Sequence, residues 1–134
     1  AIEGAVEAVR AVHARLGGRI ACASGADRFK VEMQLEMVGL APYFAGRVFS
    51  GHEMPRTKPA PDVYLAAAAA LGVPPARCLV VEDTVTGVAA GVAAGATVVG
   101  YSPSPVGHGT PEALRAAGAV QVMVHMGELP GLLD

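Results

Sequence analysis

The chain has 134 residues, which fits a single domain with a sizeable core. Its formal net charge is -2, so it lacks the basic surface typical of proteins that bind nucleic acids or anionic membranes. We therefore expect neither nucleic acid nor membrane as a partner. Hydrophobic residues make up 52% of the chain and aromatic residues only 4%, which predicts a core of small side chains.

The first half of the chain alternates predicted helices with short predicted strands. Val6, Val9 and Val12 recur at helical spacing, and apolar runs of four to six residues are typical of buried strands. In chain order we predict a helix at 3–16, a strand at 19–24, a helix at 27–38, a loop that buries its aromatics at 40–44, a strand at 47–50 and a helix at 61–71.

The second half continues the alternation. Residues 85–101 carry no charge and hold glycines at four-residue spacing, which resembles a membrane helix with a small-residue face. We interpret them as a helix, a turn and a strand, because the stretch is weakly apolar and interrupted by threonine and glycine. We predict a strand at 78–82, a helix at 85–94, a strand at 97–101, a loop at 102–109, a helix at 110–117 and a strand at 120–124.

Two features predict a cytoplasmic protein. Cys22 and Cys78 fall in predicted buried strands without histidines at zinc spacing, which favours reduced core thiols over a disulfide or a metal site. The first residues, A-I-E-G-A-V-E, read as a charged amphipathic helix and not as a signal peptide.

Polar residues stand where three apolar runs end. Ser24 and Gly25 follow the first run, Lys58 follows the second, and Glu82 and Asp83 end the third. Ligands of parallel α/β sheets bind at the carboxyl ends of the strands. A hydroxyl, a helix start and an ammonium suit a phosphate, while paired carboxylates suit a divalent cation.

Each of these positions also has a simpler interpretation. Ser24 could cap the next helix, Lys58 could be a solvated surface lysine, and Asp83 or Thr84 could merely cap the helix that follows. Their joint occurrence, all at strand carboxyl ends, favours the functional interpretation.

The chain resembles the haloacid dehalogenase superfamily, and within it the branch of phosphatases and β-phosphoglucomutase-like enzymes. The resemblance rests on Ser24, on K-P-A-P-D at 58–62 and on E-D-T-V-T-G at 82–87, and it covers nearly the whole chain. It implies a Rossmann-like α/β fold, a parallel sheet with helices on both faces. It also implies that Ser24, Gly25 and Lys58 bind phosphate, with Ser24 and Lys58 catalytic, and that Glu82 and Asp83 bind or orient Mg²⁺.

The resemblance also implies parts that these residues do not supply. The family's nucleophile is an Asp-x-Asp at the end of a central strand, followed by a helical cap. Asp27 and Asp62 cannot replace it, because both lie at predicted helix starts. We therefore expect residues 1–134 to be a partial core domain that is inactive alone and that is either unstable or dependent on this strand and cap as partners.

The activity implied is Mg²⁺-dependent phosphoryl transfer. The preferred hypothesis is a phosphatase acting on a small phosphorylated metabolite through an aspartyl-phosphate. Two alternatives stay open: a sugar phosphate mutase resembling β-phosphoglucomutase, and a noncatalytic phosphate-binding or interaction module of the same fold. His52, His108 and His125 fall in predicted loops or at a strand end, and we expect none to be essential.

Overall fold

The computed structural model describes residues 4–103 and 109–133, and its strands and helices alternate along the chain. The strands are β1 Cys22–Ser24, β2 Val48–Ser50, β3 Leu79–Glu82, β4 Thr97–Tyr101 and β5 Gln121–Met123. The helices are α1 Ala5–Arg15, α2 Arg28–Met37, α3 Asp62–Leu71, α4 Val85–Ala93 and α5 Pro111–Ala117. All paired strands run parallel, which confirms the predicted α/β class.

The strands form two parallel sheets. One sheet holds β1 and β2, with Ser24 opposite Ser50, and the other has the order β3-β4-β5, with Glu82 opposite Gly100. Connections between parallel neighbours need a crossover, and a helix supplies one between consecutive strands here. The sheet is thus divided between β1 and β3, as expected for a core that lacks a central strand.

Helices cover both faces of the larger sheet, because successive side chains of a strand point to opposite faces. Val98 of β4 packs with Val88 of α4 and Leu114 of α5. Val99, the next residue, packs with Val12 of α1 on the other face. The three-layer arrangement predicted from the sequence is therefore confirmed.

A cleft of about 630 Å³ separates the two sheets. The N–H and C=O groups of successive strand residues point to alternate sides of the strand. Because the Cys22 N–H donates to the Arg47 carbonyl on the β2 side, the N–H and C=O groups of Ala21 and Ala23 point away from β2. Ala21 and Ala23 line the cleft, and the opposite wall includes β3 residues Leu79, Val80 and Val81. The edges of two parallel strands thus border one mostly apolar space.

Strand β1 is shorter than predicted and begins at Cys22 instead of residue 19. The Ile20 N–H donates to the Gly18 carbonyl at 2.8 Å, and the Ile20 carbonyl accepts from Arg47 Nε at 2.8 Å. A turn and a side chain therefore satisfy this backbone, and no ladder partner is required there.

The charge-free stretch folds as predicted, with α4 followed by β4. A Cβ at Gly91 would lie 2.7 Å from Val98 and 3.2 Å from Val80, so the glycine lets the helix lie close on the sheet. Within residues 4–103 and 109–133, no helix is both long and apolar enough to cross a bilayer.

The two cysteines are free thiols. Cys22 lies in β1 as predicted, and burial raises the pKa of its thiol. Cys78 directly precedes β3, and its Sγ donates to the Pro74 carbonyl at 3.5 Å.

Candidate active site

Ser24 ends β1 and lies three residues before Asp27, the cap of α2. Its Oγ accepts a hydrogen bond from the Ala26 N–H at 3.1 Å. Asp27 caps α2 instead, since its Oδ1 accepts from the Lys30 N–H at 3.0 Å. The simpler interpretation of Ser24 as the helix cap is therefore wrong, and its hydroxyl stands with Gly25 at the carboxyl end of the strand.

Ser50 is a buried polar residue that the sequence analysis did not single out. Its Oγ donates to the Ala26 carbonyl at 2.6 Å and accepts from the His52 N–H at 3.2 Å. It thereby ties the loop after β1 to the end of β2. Its signal in the sequence is the one that identified Ser24, a serine that ends an apolar strand.

The segment before Lys58 passes close to the end of β1. A Cβ on Gly51 would lie 3.4 Å from the Ser24 carbonyl oxygen and 3.8 Å from the Thr57 methyl group. Gly51 therefore lies against the end of β1 and beside Thr57, the residue that precedes Lys58.

Lys58 and Glu82 form an ion pair that joins the two sheets. Lys58 follows β2 and Glu82 ends β3, and their side chains are only 16% and 9% exposed. A solvated surface lysine would not be so enclosed, so the simpler interpretation of Lys58 is wrong. The peptide bond between Lys58 and Pro59 is cis.

Tyr64 of α3 completes the polar cluster. Its hydroxyl donates to Glu82 Oε2, the same oxygen that Lys58 contacts, and the Lys58 Nζ lies 4.9 Å from the centre of the tyrosine ring. Burial, followed by the negative charge of Glu82, raises the pKa of Tyr64, which keeps the phenol protonated as a donor. The sequence offers one signal for it, a lone aromatic residue in an alanine-rich helix.

Gly87 leaves space for the Glu82 carboxylate against α4. A Cβ at Gly87 would overlap the Glu82 carboxylate, with Oε1 as the nearest atom. Thr84 caps the same helix, since its Oγ1 accepts from the Gly87 N–H at 3.0 Å. The packing of the Glu82 carboxylate against α4 therefore explains why the E-D-T-V-T-G motif has a glycine at position 87.

Replacing Gly87 with alanine should destabilise the protein, although alanine is the better helix former by about 1 kcal/mol. We expect a net loss of about 1–3 kcal/mol in the free energy of unfolding, the usual cost of overpacking, measured by urea titration of the chain joined to its central strand and cap. Gly131→Ala is the control, because nothing lies within 4 Å of a Cβ there. A Gly87→Ala protein as stable as the parent would contradict this packing.

Asp83 stands apart from the buried cluster. It is exposed, whereas its neighbour Glu82 is buried, and Thr84 takes the capping role that Asp83 could have had. Within the described ranges 4–103 and 109–133, no three His, Cys, Asp or Glu residues group as a metal centre. Mg²⁺ often binds one or two carboxylates and keeps several waters, so the donor chemistry of this acid pair fits a partial site.

The remaining acids and histidines have other partners or positions. Asp27 caps α2, and Asp62 begins α3 and pairs with Arg56 at 2.9 Å, so both lie at helix starts as predicted. His125 Nδ1 accepts from the Gly127 N–H at 2.8 Å and caps a short helical turn. His52 is exposed in the loop after β2, and His108 lies outside the described residues.

The fold and the site together define a class of protein. Ser24, Lys58 and the Glu82–Asp83 pair each end or follow a parallel strand, which is where open α/β folds bind ligands. A family model of haloacid dehalogenase-like hydrolases matches residues 1–95, and the chain belongs to this family.

Two relatives are similar to this chain in sequence. The chain is 30% identical to 6-phosphogluconate phosphatase of Escherichia coli over 132 residues, covering 98% of the chain and 56% of that protein. It is 42% identical to protein CbbY of Rhodobacter capsulatus over 87 residues, covering 62% of the chain and 37% of that protein.

A solved structure of a haloacid dehalogenase family hydrolase from Deinococcus radiodurans, with bound phosphate and sodium, superposes with a TM-score of 0.85. It is 38% identical in sequence, and the match covers 98% of this chain and 58% of that one. The chain thus spans between 37% and 58% of the length of these three relatives.

Proposed function

We propose that this chain forms most of the active site of a Mg²⁺-dependent phosphatase that acts on a small phosphorylated metabolite. The observation that carries the proposal is the enclosed Lys58–Glu82 ion pair beside Asp83 at the end of β3. An enclosed ammonium beside carboxylates at a strand end suits a phosphate held next to a divalent cation.

Each site residue has a role in this proposal. The Ser24 hydroxyl and the backbone at Gly25 hold the non-bridging oxygens of the phosphate. Lys58 places a fixed positive charge where negative charge spreads in the transition state, and enclosure strengthens that charge. Asp83 would hold Mg²⁺, with Glu82 as a second ligand or as a residue that orients the ion. When bound, the ion neutralises phosphate oxygens.

We further propose that the nucleophile is an aspartate on a strand that occupies the cleft between β1 and β3. The two strand edges that line this cleft support the proposal, as do the structural roles of Asp27 and Asp62. The aspartate oxygen attacks phosphorus, the P–O bond to the substrate breaks, and the second aspartate of the Asp-x-Asp gives its proton to the leaving alkoxide. Water then cleaves the aspartyl-phosphate and releases inorganic phosphate.

The test compares this chain alone with the chain joined to the native sequence that precedes it. We expect only the longer protein to release phosphate from sugar phosphates, and we expect chelation of Mg²⁺ to abolish that release. Changing the first aspartate of its Asp-x-Asp to asparagine should have the same effect.

Three outcomes would overturn parts of the proposal. Rapid hydrolysis by the 134-residue chain alone would place the nucleophile within it. Isomerisation of a sugar phosphate without phosphate release would identify a mutase. Phosphate binding without any turnover by the longer protein would identify a noncatalytic module.

A further inference from the structure

One carboxylate oxygen of Glu82 receives two donors from different segments. The Lys58 ammonium and the Tyr64 hydroxyl both contact Oε2, while Oε1 lies against Gly87. The carboxylate is therefore held by an ion pair, a phenol and the backbone of α4 at once. Such an arrangement allows the carboxylate little rotation.

The two donors reach Glu82 from the other side of the divided sheet. Tyr64 lies on α3, which packs against β1 and β2, whereas Glu82 ends β3. The tyrosine ring also lies beneath the Lys58 ammonium, with Nζ 4.9 Å from its centre. One side chain thus contacts both members of the ion pair and connects them to the helix that follows Lys58.

We propose that Tyr64 is a positioning residue that holds the Lys58 ammonium and the Glu82 carboxylate in one arrangement. Its effect on turnover rests on the proposed phosphatase function, while its effect on Lys58 does not. The ring restricts Lys58 by a cation–π contact, and the hydroxyl restricts Glu82 by a hydrogen bond to a charged acceptor. Neither contact requires Tyr64 to touch the substrate.

The hydroxyl is the part of Tyr64 that a packing role would not need. Phenylalanine would fill the same space and keep the ring beside Lys58, but it would leave a buried carboxylate oxygen with one donor instead of two. Buried charges require such donors, so Glu82 should reorient toward water and release Lys58. Tyr64→Phe therefore separates positioning from packing.

The chain contains an internal standard for this test, because its two lysines are Lys58 and the exposed Lys30. Brief acetylation of the longer protein described above, followed by mass spectrometry, gives the modification of Lys58 relative to Lys30, peptide by peptide. We expect Tyr64→Phe to raise this ratio about tenfold, the size associated with losing a hydrogen bond to a charged group. Tyr43→Phe, which removes a hydroxyl bonded to Arg10 at 3.1 Å, should leave it unchanged.

Turnover provides the second measurement, in the longer protein described above. Tyr64→Phe should lower kcat about tenfold and leave KM for the phosphate ester within about twofold, because Lys58 acts mainly on the transition state. If the parent protein hydrolyses no phosphate ester, the proposed function fails, and the acetylation ratio still decides the role of Tyr64. An unchanged ratio, or a changed ratio with an unchanged kcat in an active parent, would overturn the positioning role.

Discussion

Replacing Asp83 with asparagine should nearly abolish turnover in the longer protein. Asparagine keeps the size of the side chain and removes the charge that a divalent cation requires. Because a bound ion supplies several kcal/mol of transition-state stabilisation, we expect kcat to fall at least about a thousandfold. The Mg²⁺ concentration needed for half-maximal rate should rise in parallel, measured by phosphate release during a Mg²⁺ titration.

Asp27→Asn is the matched control for Asp83→Asn. It is the same chemical change at a helix cap, where asparagine serves as well as aspartate, so rate and stability should stay near those of the parent. An Asp83→Asn enzyme with the parental rate and Mg²⁺ dependence would show that Asp83 is not a metal ligand.

Replacing Lys58 with alanine should have the second largest effect. The change removes a fixed positive charge from an enclosed site, and losing such a preorganised group costs on the order of 3 kcal/mol of transition-state stabilisation. We expect turnover to fall at least about a hundredfold at saturating Mg²⁺ and substrate. Lys58→Arg should restore it only in part, because a planar guanidinium cannot reproduce a compact ammonium beside Glu82.

The Lys58→Ala variant should also lose stability, since Glu82 is buried and would keep only Tyr64 as a donor. Removing one member of a buried ion pair costs about 3–5 kcal/mol, so turnover must be compared at temperatures where circular dichroism shows a folded protein. Lys30→Ala, at an exposed position on α2, is the control for both measurements. Turnover of folded Lys58→Ala within a few-fold of the parent would contradict the phosphate role of Lys58.

The sequence alone determined the order of the elements. Helical spacing in α1 and the continuous apolar run of β3 predicted their types, and only the ends moved by a few residues. Such patterns are local, so a single sequence contains them. The same holds for Ser24, Lys58 and the acid pair, because each stands at a recognisable strand end. The family resemblance then predicted a divided core without its central strand.

The tertiary structure decided how those residues act together. Nothing local distinguishes Glu82 from Asp83, yet one is buried beneath α4 and the other is exposed. The close approach of Gly87 to Glu82 and the shared contact of Tyr64 with Lys58 and Glu82 depend on how α3 and α4 meet the two sheets. The contacts of Glu82 with Tyr64 and Lys58 join residues that lie 18 and 24 positions apart in the sequence. Packing between distant elements creates them, and no periodicity within one element records such packing.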